Sequence, residues 1–346
     1  MPSPIPPRDR KVFFVGAGLS CAFRLPNTAN LLTEAVAFSR TGPGHWLHDE
    51  DLEPRLKTAY KFFYPDAAHP GFQPQAVDFF SALRCYIDIG SGLVGTGFDN
   101  APDLYRLLRR GIAHLLANRT KVSASLSGFS RHSYLEGMLQ PGHIIITSNW
   151  DNIIEQFAAA NSIPLRLTSR SRKFDQKEVS LLKLHGSIDW CQQRSRSTKY
   201  TDSDFAALSE LQNPPRIYTM NLDASDGALI RVRSDGSDSW QKIRSRSREP
   251  YMVTMATGKA DDLGPLLPVW RDAYRALSRA RALEIVGYSM PPDDVEIRTI
   301  LRTGIQRGSQ NPHITVRNPA PDVHQRVRTY LDRNAESDYI TIDSVK

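Results

Sequence analysis

The sequence predicts an α/β fold, a parallel sheet with helices on both faces that carries two insertions. The first observation is a series of short apolar runs rich in β formers: KVFFV (11–15), HIIIT (143–147), PLRL (164–167), LLKLH (181–185), YMVTM (251–255), LEIVG (283–287) and HITVR (313–317). The second is that stretches with helical spacing separate most of them, at 150–160, 266–282, 293–307 and 321–333. Strands alternating with helices build parallel sheets. The third is that two segments break the alternation, a helical insertion over 31–140 and an inserted small subdomain or loop over 192–250.

Residues 11–15 end at Gly16, as a buried strand feeding a glycine turn does. Residues 26–39 follow with helical spacing at Leu31, Leu32, Ala35 and Val36. From about residue 50 to 139 the pattern stays helical, through Leu52/Leu56/Tyr60, Val77/Phe80/Leu83/Ile87 and Leu104/Leu107/Leu108/Leu115. Strands then return. Residues 192–250 are rich in Ser, Arg, Asp and Gly and include the run KIRSRSR (242–248).

The chain has 346 residues, 40% hydrophobic and 23% charged, enough to bury a sizeable core. It is expected to form one domain over 1–346 around the two insertions. Mean hydropathy is −0.40, and no apolar run approaches the ~18 residues of a membrane span. The segment MPSPIPPRDR has no apolar stretch of the secretory kind, so the cytoplasm is the expected compartment. The three cysteines, Cys21, Cys85 and Cys191, stand far apart and exclude a disulfide framework or a four-cysteine zinc ribbon. Net charge is +7, and residues 166–199 hold nine basic side chains against three acids. Such a face suits an anionic ligand, nucleic acid or an acidic partner, or is simply solvated surface.

In an open α/β sheet, ligands bind beyond the carboxyl ends of the strands. Gly16-Ala17-Gly18-Leu19-Ser20 follows the first strand. Its glycines allow close approach to a pyrophosphate, or make an ordinary βα turn. Cys21 stands where a third glycine of a dinucleotide fingerprint would be. Thr147-Ser148-Asn149-Trp150-Asp151 follows the second run. Asp151 suits a helix cap, and the Asn149 amide suits a water or a ribose hydroxyl. His185-Gly186-Ser187 places a group that titrates near neutrality, as a general base or as a structural hydrogen-bonding residue. Gly287-Tyr288-Ser289 offers close backbone approach and a hydroxyl to phosphate or ribose, or only starts the next helix. Asn318-Pro319 is a weaker fifth element.

In this order the motifs resemble those of the sirtuin superfamily, which implies a Rossmann-like sheet. SNWD (148–151), LHGSIDW (184–190) and VGYSMPPDD (286–294) resemble more closely the bacterial sirtuin-like domains of antiphage defence systems. The resemblance covers residues 11–30, 141–191 and 250–343. It implies that NAD is the substrate. Gly16, Ala17, Gly18 and Ser20 would wrap its pyrophosphate, and Asn149 and Asp151 would reach the nicotinamide ribose. His185 would act as general base or ribose partner. Gly287, Tyr288 and Ser289 would contact phosphate or adenosine ribose, and Asn318 that ribose. Deacylating sirtuins carry a four-cysteine zinc module between the histidine and the late Gly-x-Ser. Between 185 and 287 this chain has only Cys191, so no zinc is expected. The resemblance therefore implies an NAD glycohydrolase acting as an effector of antiviral defence. A deacylase, an ADP-ribosyltransferase and a non-catalytic NAD or ADP-ribose sensor are the alternatives. Control would come from a homo-oligomer, a partner such as a hexameric ATPase or an Argonaute-like protein, or both. No membrane is implied, and direct nucleic-acid binding is not favoured.

Overall fold

The computed structural model describes residues 11–41, 52–64, 74–90, 101–167, 177–192, 250–256, 259–308 and 312–331, together with the backbone of short strands at 217–220, 229–230, 242–243 and 336–338. Of the basic cluster, Arg170, Arg172, Lys173, Arg194, Arg196 and Lys199 lie outside the described residues, as do Asp175, residues 1–10 and most of KIRSRSR.

A seven-stranded sheet forms the centre. It contains β1 (Val12–Val15), β2 (Ile144–Thr147), β3 (Leu165–Arg166), β4 (Val179–Lys183), β9 (Ala282–Val286), β10 (His313–Arg317) and β11 (Glu336–Asp338). Their order is β11-β10-β9-β1-β2-β4-β3, and every pairing is parallel. Between β4 and β9, the short strands β5 (Trp190–Gln192), β6 (Ile217–Met220), β7 (Leu229–Ile230) and β8 (Lys242–Ile243) pair antiparallel in a second sheet.

Alternation along β1 explains why the strands read as unbroken apolar runs. Phe13 and Val15 enter one core with Ile145, Leu181 and the helices before β2. Phe14 and Val12 enter the other with Ile144, Ile146 and Leu182. A sheet covered on both faces needs apolar residues at every position. The first face is covered by α1 (Ala17–Ala22), α2 (Leu31–Thr41), α3 (Leu52–Phe63), α4 (Ala76–Gly90), α5 (Ala101–Ala124), α6 (Ser133–Met138) and α7 (Ile153–Ala160). The second carries α8 (Leu267–Ser278), α9 (Val295–Arg307) and α10 (Pro321–Leu331).

Two elements differ from the sequence reading. The run YMVTM (251–255) is not a strand; its one ladder contact is an isolated bridge from Met252 to Gly186. Met252 and Val253 are buried, which accounts for the apolar run, but the segment spends its backbone groups on loops. Tyr251 N–H donates to the Trp190 carbonyl at 2.6 Å and Val253 N–H to the His185 carbonyl at 2.9 Å. The unexpected strand of the main sheet is β11, a three-residue polar edge without an apolar pattern.

β1 lies between β2 and β9. The chain builds outward on one side through β2 and β4, then crosses β1 to build on the other. The strand order therefore reverses at β1, the place where an open sheet leaves a crevice for a ligand.

Candidate functional site

A cleft of about 870 Å³ opens at that reversal point. Ala17, Gly18, Ser20, Asn149, Asp151, His185, Gly287, Tyr288, Ser289 and Asn318 all line it. Gly16 does not, but its carbonyl accepts a hydrogen bond from Asn149. Residues more than 300 apart in sequence thus converge because each follows a strand of one parallel sheet. Another part of the lining comes from the helical block, including Gln75, Asp78 and Leu116, none of which carries a recognisable motif.

The most ordered part of the cleft is a chain of short bonds across β1 and β2. The Ser20 hydroxyl donates to Asp151 Oδ2 at 2.6 Å. Asn149 Nδ2 donates to Ser20 Oγ and to the Gly16 carbonyl, both at 2.9 Å. Asp151 Oδ1 accepts from the Ile153 N–H at 3.1 Å, so the carboxylate also caps the start of α7. Both amide hydrogens of Asn149 are thereby committed, which fixes the plane of the amide and leaves Oδ1 for a water or ribose hydroxyl. Thr147 Oγ1 locks the backbone beneath, donating to the Val15 carbonyl and accepting from Asn149 N–H, both at 3.0 Å.

Lys183 is a residue beneath the site that the sequence reading did not single out. It ends β4, and its side chain is fully buried. Nζ donates to the Asp151 carbonyl at 2.6 Å, Glu155 Oε1 at 2.7 Å, Ser187 Oγ at 2.8 Å and Asn152 Oδ1 at 3.2 Å. One ammonium thus ties the loop carrying Asp151 to the loop after His185. Burial lifts Glu155 to about 7, against the pull of Lys183 and with a further push from Asp189. The signal was available: a lysine inside a doubly covered strand has no solvent to reach.

His185 is buried at the cleft wall. Its ring centroid lies 6.3 Å from that of Trp270, whose Nε1 donates to the Leu184 carbonyl at 2.8 Å. The following turn requires glycine. Gly186 has φ +77°, and a Cβ there would stand 2.1 Å from the Tyr251 carbonyl oxygen. The 250–256 segment therefore buttresses the histidine loop, and the Trp150 indole donates to its Val253 carbonyl at 3.2 Å.

The glycines after β1 and β9 serve each other as well as the cleft. Gly18 N–H donates to the Gly287 carbonyl at 2.8 Å. A Cβ on Gly18 would meet Gly287 Cα at 2.7 Å, and one on Gly16 would meet Tyr288 Cα at the same distance. The two loops touch backbone to backbone. The Tyr288 side chain points into the core, edge-on to Phe14, and donates to Asp294 Oδ2 at 3.0 Å. Burial and that carboxylate push its phenol well above the ordinary range. Ser289 is the exposed residue of this loop. Asn318 Oδ1 accepts from Ala320 N–H at 3.0 Å, and its carbonyl contacts His324 Nε2 at 2.6 Å. It therefore shapes the start of α10 at the cleft edge.

The cleft is acidic. Asp78, Asp151, Asp293 and Asp294 line it beside one arginine, Arg317, whose guanidinium pairs with buried Glu284. Of the basic cluster at 166–199, the described members Arg166, Lys177 and Lys183 do not line it. Lys183 is spent on the loops beneath, so none of these three faces an anionic ligand in the cleft. Desolvation, and then the Asp151 charge, push the Cys21 thiol up, which argues against a thiolate nucleophile.

Residues 143–229 match the family model of the SIR2-like domain. The matched span runs from the start of β2 through Asn149, Asp151, Lys183 and His185. Among solved structures, the chain is similar to Sir2Tm bound to a propionylated peptide, at 13% identity over 97% of this chain and 89% of that one, with a TM-score of 0.36. It is also similar to a sirtuin solved to explain substrate affinity, at 14% identity over 94% and 92%, with a TM-score of 0.28. No curated protein matches it. Sirtuin-type domains use NAD. No helix among the described residues is long and apolar enough to cross a membrane.

Proposed function

We propose that this SIR2-like domain is an NAD glycohydrolase, releasing nicotinamide and ADP-ribose (or a cyclic isomer). The observation that carries the reading is the Ser20–Asn149–Asp151 chain of hydrogen bonds, set in one cleft with His185 at the reversal point of the sheet. A cleft of about 870 Å³ falls within the range of small-molecule sites. Its acidic lining suits a reaction in which positive charge grows on a sugar.

Nicotinamide on ribose is a cationic leaving group. Heterolysis of the C1′–N bond sends the bonding pair to the ring nitrogen, and neutral nicotinamide departs. The ribose becomes oxocarbenium-like, water adds at C1′, and a proton is lost. The protein must hold the ribose and place one water. In this reading Asn149 Oδ1 orients the water or a ribose hydroxyl. Asp151, buried at the cleft, places its carboxyl oxygens where they favour the developing cation. His185 accepts the released proton or bonds the ribose hydroxyls. The loops at Ala17–Ser20 and Gly287–Ser289, with Asn318, border the diphosphate and adenosine end. Among the described residues Arg317 is the one arginine or lysine lining the cleft, so in this reading backbone N–H groups supply much of the contact to phosphate.

A chain of three cysteines cannot build a four-cysteine zinc module, which weighs against the deacylase alternative. The same reading makes the protein an effector of bacterial antiviral defence that depletes NAD in the cytoplasm, restrained by a partner protein or by assembly. The test is nicotinamide release from NAD with and without an acetylated peptide. Release without peptide, with ADP-ribose or its cyclic isomer in equal amount, is expected. Release that requires peptide would instead establish a deacylase, and tight NAD binding without turnover would establish a sensor.

A further inference from the structure

A second groove of about 970 Å³ runs between α8 and α9, on the face opposite the helical block. Five large hydrophobic side chains are exposed among the described residues, and two of them, Leu267 and Val295, line this groove. Arg271 and Arg275 stand one turn apart on α8, Arg275 also pairing with Asp272 at 2.9 Å, and Arg279 follows at the C-terminal cap of the helix. Arg307 joins them from α9, and Glu296 is the one acid in the lining.

We propose that this groove is the docking surface for an acidic amphipathic helix of a partner protein. An apolar floor between two helices, edged by cations, receives a third helix through anchors at i, i+3, i+4 and i+7. The charge argues for the kind of occupant. A second copy of this chain brings a net charge of +7 to a basic rim, so self-association there is electrostatically opposed. Phosphate backbones would satisfy the arginines but leave the floor exposed to water. An acidic helix satisfies both. The groove also reaches the cleft through one side chain, because Trp270 lines it and holds the Leu184 carbonyl beside His185. A helix seated there bears on the indole that fixes the histidine loop. This second point rests on the proposed activity, whereas docking itself does not.

The test uses the full chain and a labelled synthetic helix with leucines at i, i+3, i+4 and i+7 and glutamates on both flanks, followed by fluorescence anisotropy. Binding is expected, weakening with salt, and at least about tenfold weaker for Arg271→Glu/Arg279→Glu and for Val295→Asp. Both variants alter exposed residues and should melt with the parent chain. The proposal is overturned by no binding, by equal binding of a scrambled peptide, or by variants that bind as the parent does. It is also overturned if labelled single-stranded DNA binds through these arginines while the peptide does not, or if sedimentation shows a dimer that Val295→Asp dissolves. None of these outcomes depends on NAD turnover, so failure here and failure of the glycohydrolase reading are separable.

Discussion

Replacing Lys183 with methionine is expected to destabilise the protein by about 3–5 kcal/mol in denaturant unfolding above pH 7, where Glu155 is ionised, the range for breaking a buried ion pair by removing one partner. The lysine is fully buried and satisfies Glu155, Ser187, Asn152 and the Asp151 carbonyl together. Its loss leaves several buried polar groups without their donor. Lys183→Met/Glu155→Met should recover part of the stability, because an ion pair replaced by apolar side chains of similar size costs little. It should not restore activity, because the Asp151 carbonyl has still lost its tether. A Lys183→Met protein that melts with the parent chain would show that the lysine is not the strut described here.

Glu155 gives the same site a pH signature. Folded, it holds its proton to about 7, whereas its ordinary value is 4.5. Between those values the native state binds more protons than the unfolded chain, so this group's contribution to stability falls as pH rises through that window and levels off above it. Glu155→Gln should remove that slope. Melting temperatures of parent and variant measured across the window should therefore diverge, and parallel curves would contradict the assignment.

The second large effect is expected at Gly287. Its φ is +59°, and a Cβ there would stand 2.5 Å from the Leu19 nitrogen and 2.7 Å from the Gly18 carbonyl carbon. Alanine would incur about 1–2 kcal/mol for the left-handed conformation and about 1–3 kcal/mol for overpacking against backbone that cannot rotate away. Gly287→Ala should therefore lower the melting temperature sharply and leave little soluble protein. Gly137→Ala, on α6 with open space around it, should be close to neutral. Equal behaviour of the two would mean that the loops do not meet as described.

These two sites differ in how far the sequence discloses them. Gly287 and the Gly16–Ser20 loop are visible because each follows a short, largely apolar run, and such runs mark strands buried on both faces. Their mutual contact is not visible, because β1 and β9 are separated by most of the chain and become neighbours only through the strand order. Lys183 is hidden for another reason. A lysine in a basic stretch looks like surface charge until its strand is known to be covered on both faces. Tyr288 shows a third limit, since the sequence does not disclose that its side chain packs edge-on against Phe14 and donates to Asp294. The run at 251–255 misleads because burial alone makes an apolar run, and these residues are buried against loops, not paired in the sheet. The helical wall of the cleft has no motif to find, because Gln75, Asp78 and Leu116 line the cleft only through helix packing.

The central claim is that Asn149, held by Gly16 and Ser20, directs hydrolysis of NAD in the cleft. NAD consumption by the parent chain and by Asn149→Ala, assayed side by side at matched folded concentration, tests it most directly. The account predicts nicotinamide and ADP-ribose, or its cyclic isomer, from the parent chain and a loss of at least about a hundredfold in the variant, the scale of removing one preorganised polar group at the reacting centre. Equal NAD consumption by the two proteins would contradict it.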